Sequence, residues 1–167
     1  MGDQTMSAPA LRPILLPQDL PALIDVFVDS IEELTQDDYD EEQRTAWIAS
    51  VENEQKFGEN LANGLTILAE VDGEIAGFAT LRGGVLHMLY VHSAFARQGV
   101  ASALCDGLER LAAARGVKEL TTDASDTAQP FFKQRGYEPR QRNSVERAGV
   151  WLANTTMAKP LVMETTQ

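Results

Sequence analysis

The stretch VLHMLYVHSAFARQGVASALCDGLERL, residues 85–111, decides the fold. Residues 85–91 are almost continuously apolar, which is typical of a central strand covered on both faces. The last part of the stretch repeats apolar residues at helical spacing, at Val100, Leu104, Leu108 and Leu111. Arg115-Gly116 then provide a basic last turn and a glycine stop. The stretch therefore predicts a buried strand, a loop and a helix.

The chain before this unit changes from helical to β-rich patterning. Residues 65–71 and 74–81 are apolar, β-rich runs joined by Asp72-Gly73, the composition of a tight hairpin turn. Further upstream we predict a short strand over 11–16, a helix capped by Asp19 over 20–31, a second helix over about 40–50 and a third before Asn63-Gly64.

The chain after the unit supplies the last elements. We predict a short strand over 120–122, a short helix over 128–135 ended by Gly136, and two antiparallel strands within 140–159 around Ala148-Gly149. This order of strands and helices predicts a mixed α/β layer fold. No internal repeat or linker divides the sequence, so we expect a single domain over 1–167 with a loose tail over 1–9.

Composition excludes several classes of protein. No apolar run approaches the roughly 18 residues that span a bilayer, and the N-terminus lacks a signal-peptide pattern. A net charge of -11 argues against nucleic acid or an anionic membrane as partner and favours a cationic one. The single cysteine, Cys105, cannot form an internal disulfide and is expected to be a buried structural residue in a reducing, cytoplasmic setting. A homodimer is compatible with the sequence.

Acidic residues are concentrated near the front of the chain. Residues 29–42 contain Asp29, Glu32, Glu33, Asp37, Asp38, Asp40, Glu41 and Glu42 and no basic residue. The segment can attract an amine substrate electrostatically, or it can be a solvated helical face, which is the favoured interpretation.

The loop between the predicted strand and helix has the features of an anion site. A glycine at the start of a helix leaves several backbone N–H groups exposed at the positive end of the helix dipole. Gly99 carries no side chain where a phosphate would approach, and Ala101 keeps the next turn small. The same pattern also occurs as an ordinary strand-to-helix turn.

The sequence resembles the GNAT superfamily of acetyl-CoA-dependent N-acetyltransferases in two segments. The strand ending at Val91, followed by Ala96-Arg97-Gln98-Gly99-Val100-Ala101 and a helix, is similar to the family's Q/R-x-x-G-x-G/A signature. Residues 128–137, AQPFFKQRGY, resemble the family helix that ends in a Gly-aromatic pair. The resemblance covers residues 65–159 well and the helical front only in outline. It implies a mixed, mostly antiparallel central sheet with helices on both faces.

The resemblance also implies acetyl-CoA as cosubstrate and a set of residues that bind it. The implied cofactor-binding residues are Leu89, Tyr90, Val91, Arg97, Gln98, Gly99, Val100, Ala101, Ser102, Phe131 and Phe132. Two positions depart from the family pattern. Ala96 removes one phosphate-facing side chain, and Phe132 replaces a tyrosine that in many members protonates the departing CoA thiolate. A phenyl ring cannot donate that proton.

Candidate catalytic residues are His87 and Tyr137. His87 lies where family members often carry a carboxylate, and an imidazole there can take the amine's proton or can simply pack in the strand. Tyr137 is one of three phenols that can serve as proton donor, although its position in the Gly-aromatic pair favours a role in the core.

Three aromatic residues, Tyr39, Trp47 and Trp151, are candidate walls of the acceptor pocket, with core packing as the alternative. One cysteine and two histidines five positions apart cannot form a zinc site, and the carboxylates lack calcium-loop spacing, so no metal is expected. The sequence thus predicts an N-acetyltransferase that moves an acetyl group from acetyl-CoA to a primary amine of a small molecule or peptide. The alternative is a CoA-binding sensor or interaction module without catalysis.

Overall fold

A seven-stranded sheet runs through residues 8–161, the part of the chain that the computed structural model describes. In chain order the strands are β1 Ala10–Pro13, β2 Leu65–Val71, β3 Glu74–Arg82, β4 Val85–Val91, β5 Glu119–Ser125, β6 Glu138–Arg147 and β7 Val150–Pro160. Their order across the sheet is β1-β2-β3-β4-β5-β7-β6. Every neighbouring pair is antiparallel except β4 and β5, which are parallel. The predicted mixed, mostly antiparallel sheet is confirmed.

Helices cover both faces of this sheet, as predicted. They are α1 Leu20–Leu34, α2 Glu41–Ile48, α3 Glu54–Ala62, α4 Val100–Ala114 and α5 Gln129–Gln134, with short 3-10 turns at Ala49–Val51 and Ser93–Phe95. Side chains of α4 and α5 build one hydrophobic core with one sheet face, and side chains of α1 and α3 build a second core with the other. The sheet therefore separates two cores.

Several boundaries differ from the predictions by a few residues, and those of β1 and β5 affect the site most. β1 ends at Pro13, and β5 runs to Ser125, past the expected end at Thr122. Of the predicted tail over 1–9, residues 1–7 lie outside the described residues, and residues 8 and 9 have no regular structure.

The expected helix cap by Asp19 is wrong in its mechanism. Asp19 is the N-cap residue of α1, but its side chain makes no hydrogen bond to the helix. Its carboxylate instead accepts the Leu15 N–H at 2.7 Å and pairs with the Arg12 guanidinium at 2.8 Å. The hydrogen bond from Arg12 also lowers the Asp19 pKa. The Asp19 side chain therefore links β1 to the start of α1 and does not accept a hydrogen bond from the backbone of the helix.

The parallel pair β4 and β5 is joined only at its base. Val85 and Thr121 are the one residue pair in register, and the Thr121 N–H donates to the Gly84 carbonyl at 3.0 Å. One step further, the Thr122 hydroxyl donates to the Leu86 carbonyl at 2.9 Å. Beyond this point β5 continues along β7 while β4 continues along β3. The two strands therefore diverge and leave a wedge between them.

A bulge in β4 marks the start of the wedge. Leu81 pairs with Leu86 and Thr80 pairs with Met88, so His87 has no partner on β3. Leu86 and Met88 are buried, whereas Val85 and His87 are exposed. The prediction of a strand covered on both faces is thus wrong in part, because β4 forms one wall of an open wedge. Bulges re-aim side chains in this way.

The N-terminus of α4 sits close to the end of β4 because of Gly77. A Cβ atom at Gly77 would lie 2.8 Å from the Tyr90 carbonyl oxygen and 3.2 Å from side-chain carbons of Val100 and Leu104. A larger residue would push α4 off the sheet. Gly77 therefore allows the helix to direct its N-terminus at the wedge.

The bond between Thr122 and Leu86 gives a stability prediction. We expect Thr122→Val to destabilise the protein by about 1–3 kcal/mol, because the buried Leu86 carbonyl would lose the hydroxyl that bonds it. Urea unfolding measures this loss. Thr121→Val on the same strand is the matched control, and equal destabilisation by both variants would contradict the role given to the Thr122 hydroxyl.

Candidate active site

The wedge between β4 and β5 opens into a cleft with a volume of about 660 Å³. Residues 86–91 of β4 form one wall and residues 122–125 of β5 the other. The loop before α4 and the first turn of that helix close one end, and Phe131 and Phe132 of α5 lie beside it. Ser30, Ile31, Leu34 and Trp47 line the side that faces α1 and α2.

The loop before α4 has the geometry of an anion site. Arg97 and Gly99 both have positive φ angles, 63° and 80°, and space for a side chain at Gly99 is open. The first hydrogen bond of the helix runs from the Ala103 N–H to the Gly99 carbonyl. The N–H groups of Val100, Ala101 and Ser102 therefore have no partner inside the helix and point along its positive dipole end.

The predicted loop residues are largely gathered at this end. Arg97, Gly99, Val100, Ala101 and Ser102 line the cleft. Gln98 does not, and its side-chain amide donates to the Ala94 carbonyl at 3.4 Å. Only the backbone of Gln98 is thus available to a ligand at this end.

The strand and helix residues implied by the resemblance also line the cleft. Leu89, Tyr90 and Val91 form its β4 wall. The Tyr90 ring turns toward α1 and contacts Phe27 with ring centroids 4.7 Å apart, and burial raises the Tyr90 pKa. Phe132 is buried at the edge of the cleft, so the phenyl ring that replaces the family tyrosine implied by the resemblance lies beside the cleft.

His87 projects into the cleft from the bulge of β4. Its side chain is exposed there, and its pKa is lowered by partial burial and by the positive charges of Arg82 and Arg147. Asp123 on the opposite wall acts in the other direction. A lowered pKa leaves the imidazole neutral near pH 7, the form that can accept a proton.

The structure places Tyr137 outside the cleft. The side chain is 2% exposed, its ring lies 5.0 Å from that of Phe132, and its hydroxyl donates to Glu109 at 3.0 Å. Burial and the negative charge of Glu109 raise its pKa. Because the ring is buried outside the cleft lining and the hydroxyl is bonded to Glu109, the geometry corrects the catalytic assignment of Tyr137 to a packing role.

Of the three aromatic candidates for the acceptor wall, one lines the cleft and two do not. Trp47 lines the cleft. Tyr39 is 3% exposed and lies behind the lining, where its hydroxyl donates to the Ala153 carbonyl at 2.6 Å and accepts the Asp126 N–H at 2.9 Å. Trp151 is 59% exposed on β7 and does not line the cleft. Tyr39 and Trp151 are therefore corrected to positions outside the cleft surface.

Sequence reasoning missed the β5 wall. Thr122, Asp123 and Ser125 line the cleft, but the predicted strand stopped at Thr122. The available signal was alternation, since Leu120, Thr122 and Ala124 are buried while Glu119 and Asp123 are exposed. A period of two continuing to Ser125 indicates a longer strand with polar side chains on one face.

Three of the eight acidic residues in the segment have structural partners. Asp40 caps α2 in a reciprocal arrangement with Gln43, and Asp38 accepts the Thr127 hydroxyl at 2.8 Å. Asp29 accepts the N–H and the hydroxyl of Ser93 at 2.6 Å and 3.0 Å. These contacts support the interpretation of the segment as a helical face with capping roles.

Other features of residues 8–161 bear on the class of site. Cys105 is buried, and burial raises the pKa of its thiol to about 12, which fits a structural residue. Within the described chain no three metal-ligating side chains cluster. None of the helices over these residues has the length and apolar character needed to cross a membrane.

Comparison with known families matches this architecture. The model of the acetyltransferase (GNAT) domain aligns with residues 35–160, most of the chain. The chain belongs to the GNAT family. It is therefore an acyltransferase of the N-acetyltransferase type, and the implied family assignment is confirmed.

Individual relatives agree with the family assignment. The N-acetyltransferase YafP of Escherichia coli K12 is 32% identical over 141 residues, covering 84% of this GNAT chain and 89% of YafP. The crystal structure of a GCN5-related N-acetyltransferase from Rhodopseudomonas palustris superimposes with a TM-score of 0.91 at 50% identity, covering 96% of this chain and all of that one.

A more distant relative shares the fold. The PaiA N-acetyltransferase of Thermoplasma acidophilum, determined in complex with coenzyme A, has a TM-score of 0.74 at 19% identity and covers 92% of this chain and 99% of its own. At that identity the likeness concerns the fold alone.

The position of Tyr137 gives a prediction for this GNAT enzyme. We expect Tyr137→Phe to lower the free energy of unfolding by about 0.5–1.5 kcal/mol through loss of one hydrogen bond, and to leave kcat/KM essentially unchanged. Acetyl transfer and urea unfolding measured on the same preparation test both parts. Loss of turnover in a variant that remains folded would restore Tyr137 as a proton donor.

Proposed function

We propose that this GNAT enzyme transfers an acetyl group from acetyl-CoA, bound in the β4–β5 wedge, to a primary amine of a small molecule or peptide. The observation that carries the proposal is the opening of the parallel pair directly in front of the α4 N-terminus. A strand edge without a partner and a set of free N–H groups are thus presented to one ligand.

The free N–H groups fit the pyrophosphate of acetyl-CoA. Three N–H groups of the first turn of α4 and the left-handed residues Arg97 and Gly99 form a concave donor surface for an anion. The Arg97 side chain adds a positive charge in a chain whose net charge is -11. PaiA of Thermoplasma acidophilum, a protein of the same fold, was determined in complex with coenzyme A, which supports this class of ligand.

The wall of β4 fits the pantetheine arm. β3 pairs with one edge of residues 88–91, and β5 has already diverged from the other edge. Peptide groups on that open edge can bond an extended amide chain as a strand would. Leu89, Val91, Phe131 and Phe132 provide apolar surface along the same path.

The reaction needs a neutral amine, a polarised thioester carbonyl and a proton for the leaving thiolate. His87 is the proposed base that removes the ammonium proton, directly or through water. A backbone N–H of the open β4 edge is the proposed donor to the carbonyl. Phe132 cannot protonate the thiolate, and Tyr137 lies outside the cleft. The proton is therefore supplied by water or by the proton released from the amine.

The acceptor itself can be sought with a panel containing a polyamine, a peptide and an aminoglycoside. Amine-dependent release of free thiol from acetyl-CoA supports the proposed reaction, whereas binding of acetyl-CoA without thiol release would favour a module that has lost catalysis. We propose a cytoplasmic location together with this function, because the single cysteine is an unpaired, buried thiol.

The phosphate loop can be tested by adding a carboxylate to it. We expect Gly99→Glu to abolish CoA binding, since it places negative charge and bulk beside the free N–H groups. Isothermal titration calorimetry with CoA measures the loss. Gly73→Glu is the matched control, because Gly73 has nearly the same φ, 82° against 80°, equally open surroundings and a place in the distant β2–β3 turn. Equal CoA affinity in both variants would remove the loop from the site.

The role of His87 predicts a pH profile. We expect His87→Ala to lower kcat/KM at pH 7 by about 10²-fold or more, the contribution typical of a general base. In the wild type, kcat/KM should fall as the pH drops through the His87 pKa, which lies below the ordinary value of 6.5, because imidazolium cannot accept a proton. An acidic limb that persists unchanged in His87→Ala would assign the base to another group.

A further inference from the structure

We propose that Asp123 binds the ammonium group of the acceptor and presents it to His87 across the cleft. The inference deepens the proposed function and rests on it, because it names the group that recognises the amine.

Strand register puts the two residues at the same level of the wedge. Val85 and Thr121 are the last residues of β4 and β5 in register, and His87 and Asp123 each lie two positions further on. Alternation cannot be carried from Val85 to His87, because the bulge interrupts it at that point. The two side chains are nevertheless both exposed, both line the cleft from opposite walls, and the charge of Asp123 acts on the His87 imidazole.

That side of the sheet is the one open to an acceptor. Leu120 and Ala124 of β5 belong to the core under α4, so alternation turns Asp123 to the opposite face, which carries α1. Trp47 and Leu34 line the cleft from that direction. An amine entering there would meet the thioester from the side opposite the pyrophosphate helix.

Hydrogen bonds hold the Asp123 carboxylate in place. Its Oδ1 accepts the Thr156 hydroxyl at 2.6 Å, directly across the β5–β7 pair. Thr156 in turn accepts the side-chain amide of Asn143 on β6 at 2.8 Å, and that amide also donates to Asn154 at 2.9 Å. The chain of bonds restricts the Asp123 rotamer and leaves its other oxygen for a ligand.

The Asp123 charge has no cation beside it within residues 8–161. No Lys, Arg or His nitrogen of the described chain lies within 4.0 Å of its carboxylate. The charged groups that act on His87 are Arg82 on β3, Arg147 on β6 and Asp123 on β5. Of these three, only Asp123 attracts an ammonium group, and the two arginines favour the neutral imidazole that must accept its proton.

The proton step follows from this placement. The acceptor arrives as an ammonium ion paired with Asp123, one N–H bond breaks, and the proton moves to the neutral His87 imidazole. The amine lone pair then forms the new bond to the acetyl carbon, the carbon–sulfur bond breaks and CoA leaves as a thiolate. The nitrogen loses its second proton, which reaches the thiolate directly or through water, so the products are a neutral amide and the CoA thiol, and His87 releases its proton to solvent. Asp123 faces the resulting imidazolium and stabilises its charge.

Kinetics of an isosteric variant test the proposal. We expect Asp123→Asn to raise KM for n-butylamine and spermidine by about tenfold or more, the usual effect of losing a hydrogen bond to a charged group. CoA affinity measured by calorimetry should be unchanged. Asp37→Asn is the control, because Asp37 is an exposed carboxylate outside the cleft lining, and its KM values should equal those of the wild type. A wild-type KM for both amines in Asp123→Asn would overturn the proposal.

A second measurement needs no acceptor. The chain has only two histidines, so the His87 imidazole can be assigned in an NMR titration with the aid of a His92→Gln variant. We expect Asp123→Asn to lower the His87 pKa, because it removes the one negative charge that raises it. An unchanged His87 titration would overturn the pairing across the cleft even if no amine is acetylated. Failure of acetyl-CoA to bind the wild type would instead count against the proposed function.

Discussion

The single joined residue pair between β4 and β5 is the constraint on which the rest of the structure depends. Parallel strands normally continue side by side and satisfy each other's peptide groups. Here Val85 and Thr121 are the only pair in register, and the strands separate beyond them. At the point where the strands separate, the buried Leu86 carbonyl accepts a hydrogen bond from the Thr122 hydroxyl. One side-chain bond thus allows a sheet to open without leaving a buried polar group unsatisfied.

The surrounding elements make the opening chemically useful. Gly77 lets α4 approach the sheet closely, so the helix N-terminus faces the wedge. The bulge at His87 turns an imidazole from the β4 wall into the cleft at the level where the strands part. On the other wall, the bonds from Thr156 and Asn143 fix the direction of Asp123. The groups proposed to bind the anion and to move the proton therefore line one cleft, although they belong to distant parts of the sequence.

The sequence predicted the elements well and the site in part. Hydrophobic period, the Asp72-Gly73 turn and the glycine stops at Gly116 and Gly136 are local signals, and they located the hairpin, α4 and α5. The loop around Gly99 was also found from local signals, because a helix N-terminus needs only its own residues to expose N–H groups. The family match then confirmed the class of enzyme.

What the sequence could not predict depends on partners far along the chain. The wedge and the bulge depend on register between β3, β4 and β5, and Asp123 lies one residue beyond Thr122, where the predicted strand ends. Tyr137 and Tyr39 are candidates from the sequence because any phenol can donate a proton or line a pocket. Their hydroxyls are engaged by Glu109 and by Ala153 and Asp126, residues no short motif connects to them.

The sheet also divides the interior into two hydrophobic cores that share no buried side chain. The core under α4 and α5 supports the anion-binding loop, and the core under α1 and α3 supports the wall with Trp47. Because the two cores share no buried side chain, a substitution in the core on the α1 side alters the packing of that core before it affects the other. On the proposed function, the α1 side that receives the acceptor can therefore diverge among relatives while the α4 side that holds the donor stays the same, and one scaffold can acquire new amine specificities.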